Sequence, residues 1–278
     1  MNAPRWKWAL VLAVLAAAAL TIRLLVADTK VRIGSPSPDT ARPSLAEVQH
    51  GSYDLLLRKY VDGRGLVAYR QWKSTPDDLQ ALDDYLALLG RVDLAKTASK
   101  EGQLAFWINA YNALTLKGIL REYPTTSIRN HTAEWFGYNI WKDLLLFVDK
   151  QHYSLDDIEH KILRKLSEPR IHFAIVCASV GCPPLTNRAY AATEIDSMLA
   201  ANARLFFARE SNFRVDPATR TIWVSQLLKW YGTDFAPTPA EQMRWLHPYL
   251  PSPDSLNWLG GSLTVSYLDY DWSLNDQK

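Results

Sequence analysis

The chain has 278 residues, 48% of them hydrophobic and 22% charged, which is enough apolar matter for one large folded domain and too much for a disordered chain. The formal charge is +2, and without Arg5, Lys7 and Arg23 the basic residues fall from 31 to 28 against 29 acidic ones. A near-neutral body excludes the electrostatic case for a nucleic-acid partner.

The N-terminal residues read as an export segment. Arg5 and Lys7 precede an apolar run over residues 8–22, and residues 24–27 continue it past Arg23. A positive end followed by such a run has the layout of a secretory signal. Counted through Ala27 the run is also long enough to span a bilayer, with Arg23 reaching toward the surface. Residues 1–27 are therefore a signal peptide or a membrane anchor, and the body is expected on the periplasmic or extracellular face, tethered to the inner membrane if the segment is kept. Residues 28–43, with Pro36, Pro38 and Pro43, form a linker. Residues 44–278 are expected to be a single globular domain.

Within that domain Ser44 caps a helix to about Tyr60, and residues 66–69 form a short strand. Pro76 at the first helical position, with Asp77 and Asp78 behind it, starts a helix that runs to about Leu89. Ser99 or Lys100 opens a helix ended by Pro124. Residues 142–148 and 172–176 are strand-like. Ser154 caps a helix, with Asp157 reciprocating three residues on. Residues 193–208 are helical. Residues 213–215 and 221–224 pair as a hairpin. Residues 225–231 and 239–246 are short helices, and residues 263–268 are the last strand. The order predicts an α+β fold whose helix-rich N-terminal half packs on a mostly antiparallel sheet.

Three segments carry candidate chemistry. The helix containing Gln103, Asn109 and Asn112 is apolar nearly all round, so it should be buried. Two amides three residues apart share a face, and buried amides need partners. They either wall a ligand cleft or bond to neighbouring loops. On the second segment Glu159, His160 and Arg164 are positioned to make an anion- or carboxylate-binding face or a solvated charged array. The third segment holds His172, Cys177 and Cys182, the last two being the only cysteines. A disulfide between them would close a short loop and contribute roughly 2 kcal/mol. The other readings are a reactive thiol served by His172 and a zinc site. The four-residue gaps between the three are not a usual zinc spacing and no fourth ligand is evident, so no metal or other cofactor is expected. Aromatics and acids cluster again over residues 267–275, a packed closing segment in which Asp271 is a weak site candidate.

The motifs FWINAYNA at 106–113, LDDIEH at 155–160 with ILR at 162–164, and HFAIVCAS at 172–179 with CPP at 182–184 resemble the domain of unknown function 547 family. SQLLKWY at 225–231, DF at 234–235 and YDWSLN at 270–275 are similar to its later motifs. The resemblance covers residues 44–275 and implies an exported bacterial type of protein without implying an activity. A looser analogy is to papain- and transglutaminase-like folds, which place a Gln six residues before a nucleophilic Cys. Here Gln103 is followed at that distance by Asn109, which is not a nucleophile.

The leading expectation is a periplasmic small-molecule or peptide-binding and sensing domain. Its polar cleft would use Asn109, Asn112, Glu159, His160, Arg164 and Cys182 for binding and would carry a ligandable cysteine. A small thiol or peptide-like ligand, of which glutathione is one example, suits that set. The alternative is a cysteine-dependent hydrolase or acyltransferase with Cys177 as nucleophile, His172 as base and Gln103 at the oxyanion.

Overall fold

The structure is a computed structural model that describes residues 29–36, 42–133, 137–251 and 264–277. The segment at 1–27 expected to direct export, and part of the expected linker, lie outside the described residues. Among the described residues no helix is long and apolar enough to cross a membrane.

Strand β1 (Val31–Ile33) precedes four helices, α1 (Gly51–Tyr60), α2 (Tyr69–Lys73), α3 (Pro76–Leu89) and α4 (Lys100–Glu122). In α3 the buried residues Leu82, Tyr85, Leu86 and Leu89 recur at helical spacing and form one apolar stripe. Helix α4 differs: every residue from 104 to 116 is buried. Its start is fixed by Ser99, whose Oγ accepts the Gly102 N–H at 3.1 Å. A helix apolar all round must be wrapped by its neighbours, and α4 packs against α3, the turn at Leu45–Glu47 and the first sheet.

That sheet continues after the short helix α5 (Ile140–Asp143) with β2 (Leu144–Val148) and β3 (Gln151–Ser154). Strand β2 is central, parallel to β1 and antiparallel to β3. All five of its residues are buried, which explains its unbroken apolar run. After α6 (Ile195–Phe207) a second sheet forms from β4 (Phe213–Asp216), β5 (Thr221–Ser225) and β6 (Thr264–Leu268). The expected hairpin joins β4 to β5, while β6 lies parallel to β5. Helices α7 (Gln226–Phe235) and α8 (Pro239–Leu246) pack beside this sheet over a phenylalanine-rich cluster. The fold is α+β as predicted. Its strands are divided between two small mixed sheets rather than gathered into one.

Several elements differ locally from the prediction. The helix expected from Ser44 is a short 3-10 turn, Leu45–Glu47, closed by a reciprocal Ser44–Glu47 cap and separated from α1 by extended backbone at Val48. Residues 142 and 143 belong to α5, so the strand starts at Leu144. The expected strand at 66–69 is reduced to single bridges at Val67 before α2 begins. Ser154 and Asp157 do exchange hydrogen bonds, at 3.0 and 3.1 Å. The helix they open is a π-helix (Asp157–Ile162) that runs into a 3-10 turn (Leu163–Leu166).

The largest departure is at residues 172–176, which are not a strand. Pro169 opens a 3-10 turn to Phe173, capped by the Glu168 carboxylate on the Arg170 N–H. The chain then runs past α4, where Asn112 donates to the Ala174 carbonyl at 2.9 Å and accepts the Val176 N–H at 3.0 Å. One side-chain amide thus takes the pair of backbone groups that a neighbouring strand would have taken. Asn109 does the same for Tyr190, at 2.9 and 2.8 Å.

Replacing Asn112 by Ala would leave two buried backbone groups without partners and should destabilise the fold by about 3 kcal/mol. Urea unfolding of Asn112→Ala measures this directly. A loss below about 1 kcal/mol would show that the 174–176 segment is held by other means.

Candidate functional site

A cleft of about 340 Å³ opens where the 172–177 segment, the π-helix, α7 and the closing segment meet. Glu159 and Asp156 come from the turn after β3, with His160 at the rim. A π-helix is wider than an α-helix and is frequent at functional sites. Here it turns Glu159 inward, to 8% exposure, while its neighbour His160 stays exposed. Tyr111 of α4 donates to Glu159 Oε2 at 3.2 Å. Helix α7 supplies Leu227, Trp230 and Tyr231, and the closing segment supplies Tyr270 and Trp272. Trp230, Tyr270 and Trp272 pack on one another with ring centroids 4.6 to 5.8 Å apart, forming one aromatic wall. Trp230 is 46% exposed, an unusual cost for so large an apolar ring.

Behind the cleft lies a charged knot. Arg164 grips Asp234 of α7 with two parallel bonds, Nε to Oδ2 at 2.7 Å and Nη2 to Oδ1 at 2.6 Å. His172 donates its Nε2–H to the same Oδ2 at 2.8 Å. Arg164 also donates to His160 Nδ1 at 3.2 Å. The guanidinium and the imidazole together hold the Asp234 carboxyl below the usual range, the Arg164 bond having the largest effect. Burial pushes the His172 imidazole down, and its bond to Asp234 only partly offsets this. His172 therefore sits neutral, its Nε2–H aimed at Asp234 and its ring stacked on Tyr231 at 4.1 Å.

Cys177 and Cys182 are paired as a disulfide, with Cα atoms 6.3 Å apart. Cys177 is half-buried in the cleft wall and Cys182 is 4% exposed. With both thiols joined to each other, the zinc reading loses its thiolate ligands. No cluster of His, Cys, Asp and Glu suited to a metal ion occurs among the described residues.

Of the residues singled out in the sequence, Glu159, His160, His172, Cys177 and Cys182 line the cleft together. Arg164 stands one layer behind, its fork filled by Asp234 and so not open to a ligand carboxylate. Gln103 bonds to the Ala98 carbonyl at 3.0 Å, and Asn109 and Asn112 are occupied by backbone, so none of these three is among the residues lining the cleft. Asp271 packs through its backbone against Gly181. Sequence reasoning did not select Asp156, Tyr231, Asp234 or Tyr270 as site residues. The spacing of Tyr231 and Asp234 on one helix face was the available signal.

The molecule is thus an α+β domain with an acidic, aromatic-walled cleft beside a disulfide. Residues 95–207 match the family described as protein of unknown function, DUF547, and the chain carries a domain of that family. The match takes in α4, the π-helix, the disulfide loop and α6, while Tyr231, Asp234, Tyr270 and Trp272 lie beyond it. No curated protein and no solved structure matches the chain.

The depressed imidazole makes stability depend on pH. Below the ordinary histidine value of about 6.5 the unfolded chain binds a proton that buried His172 refuses, so stability is lost as the pH falls from there through the lower folded value. His50 and His152 are shifted the same way and add to the slope. Urea unfolding between about pH 8 and pH 5 should show that loss, and His172→Gln should make it shallower. An unchanged slope would assign the effect to the other two histidines.

Proposed function

We propose that this domain binds a small, peptide-like ligand carrying an amine or amide group, which it holds in the cleft between Glu159 and the aromatic wall. The observation that supports this most is the buried Glu159 carboxylate, turned inward by the π-helix beside a half-exposed tryptophan. Among the described residues the cleft is lined by Asp156 and Glu159 and by no lysine or arginine. Burial raises the Asp156 carboxyl, as expected in a pocket poor in compensating charge. Such a site favours N–H donors and cations over carboxylates, and flat aromatic faces add apolar contact and cation–π attraction. We further propose that it works outside the cytoplasm. The apolar N-terminal run and the paired cysteines both favour an oxidising, membrane-proximal setting.

The test is a thermal-shift screen of dipeptides and monoamines, followed by titration of the best probe. Binding at a hundredfold excess over Kd stabilises by about 2.7 kcal/mol. Glu159→Gln should weaken that probe at least about tenfold, as loss of a charge-assisted hydrogen bond does. Trp230→Ala should weaken it as well without unfolding the domain. Equal affinity in wild type and Glu159→Gln would remove the carboxylate from the site.

One observation favours the second reading, a cysteine-dependent hydrolase or acyltransferase. His172 is neutral and oriented by Asp234, as a general base must be, and it shares the cleft with Cys177. That chemistry requires the disulfide to be opened first. Labelling of the reduced protein by an electrophilic acyl probe, lost in both Cys177→Ser and His172→Ala, would favour this reading. Labelling that survives His172→Ala would sink it.

A further inference from the structure

The disulfide is built into hydrogen bonds that a loop staple does not require. Cys182 Sγ accepts the backbone N–H of Cys177 at 3.0 Å and the phenol of Tyr270 at 3.1 Å. Ser179 donates to that phenol oxygen at 3.0 Å, which leaves the Tyr270 O–H for sulfur. Burial pushes the Tyr270 phenol well up, so it keeps its proton. The phenol also lies 3.3 Å and the Ser179 hydroxyl 3.2 Å from Cys177 Sγ, but the fixed backbone donor serves Cys182 alone. A disulfide sulfur is a weak acceptor, whereas a thiolate is a strong one. These donors therefore gain most when the bond opens with the charge on Cys182.

Backbone hydrogen bonds hold the loop in addition to the S–S bond. The Val180 N–H donates to the Ser273 carbonyl and the Gly181 N–H to the Asp271 carbonyl, both at 2.8 Å, and the Asn275 N–H donates to the Ala178 carbonyl at 3.1 Å. The closing segment lies so near that a Cβ on Gly181 would meet Asp271 backbone at 3.0 Å. Three interstrand-like bonds, separate from the S–S bond, strap the loop to the closing segment. Access is also asymmetric: both sulfurs line the cleft, but Cys177 is half-buried while Cys182 is 4% exposed.

We propose that Cys177–Cys182 is a redox-active disulfide that exchanges with small thiols entering the cleft, Cys177 being the sulfur attacked and Cys182 the leaving thiolate. A thiolate RS⁻ bonds to Cys177 Sγ, the Cys177–Cys182 bond breaks, and its electron pair leaves on Cys182 Sγ beneath the two donors. A second RS⁻ then attacks the sulfur of the mixed disulfide that came from the first thiol. RSSR forms, Cys177 leaves as a thiolate, and the two protons given up by the thiols end on the cysteines or in solvent. Two electrons pass from two thiols to the protein. This activity uses the cleft only as an entrance and does not require the amine or amide site at Glu159.

The experiment uses the folded chain with 2-mercaptoethanol, followed by acid quench, alkylation and peptide mass mapping. The expected trapped species carries the adduct on Cys177 and the alkyl group on Cys182. Equilibration against reduced and oxidised dithiothreitol should then show Tyr270→Phe shifted toward the disulfide about tenfold, or about 30 mV. Ser179→Ala should shift it the same way by less, and it serves if Tyr270→Phe fails to fold. In Cys177→Ser, the Cys182 thiolate absorbance should titrate below the ordinary thiol value of about 8.5. An adduct on Cys182 would overturn the proposal. So would an equilibrium untouched by either variant, or a bond that opens only in urea. Titrating the amine probe against the double Cys177→Ser, Cys182→Ser variant keeps the two proposals separate, since non-covalent binding should survive there.

Discussion

The fold turns on a single side-chain amide. Asn112, buried in the middle of α4, holds the chain at Ala174 and Val176 and so sets the course of the segment between His172 and Cys177. The imidazole at one end meets Asp234, and the sulfur at the other faces the cleft. Asn109, one turn earlier, pins the chain at Tyr190 in the same manner. A helix otherwise wrapped in apolar side chains thus provides fixed polar points against which irregular backbone is laid. This arrangement reconciles two demands, since site segments need irregular shape and buried backbone needs partners.

The electrostatics of the cleft depend on where its cations are committed. Arg164 is taken up by Asp234, and Arg129 lies over the Trp272 ring rather than in the opening. The carboxylates of Asp156 and Glu159 are left facing the cleft. The Arg164–Asp234 pair also ties the π-helix region to the second sheet, because Arg164 belongs to the turn after the π-helix and Asp234 to α7 beside that sheet. One ion pair therefore orients the imidazole, joins two parts of the fold and keeps the Arg164 charge out of the cleft lining.

Much of this is legible in the residues themselves. Pro76 with its acidic first turn, Ser99 before an apolar run, the Ser154–Asp157 pair and the hairpin at 213–224 are local signals, and each marks the element found at its place. The buried character of α4 accords with its all-round hydrophobicity, and the cysteine pairing with an even count of two. What the residues do not reveal is commitment. Arg164 looks open until Asp234, seventy residues on, fills its fork. The run 172–176 has every mark of a strand except a neighbouring strand, and the amide that replaces it lies about sixty residues away. Tyr270 and Trp272 give no sign of serving the cysteines and the cleft, because the 267–275 segment reads equally well as plain packing.

That closing segment also bears on the order of folding. Residues 271–275 strap the cysteine loop, while Asn275 and Gln277 also bond to Val67 near the other end of the folded chain. Tyr69 meets Asn275 across a separation of 206 residues. Contacts so distant in sequence close late, after local helices and hairpins have formed, because the chain entropy of the intervening loop must be overcome first. The cysteine loop is synthesised well before the strand-like strap that shapes it. The cysteine loop thus takes its strapped shape only once the closing segment has been made and has folded back on it.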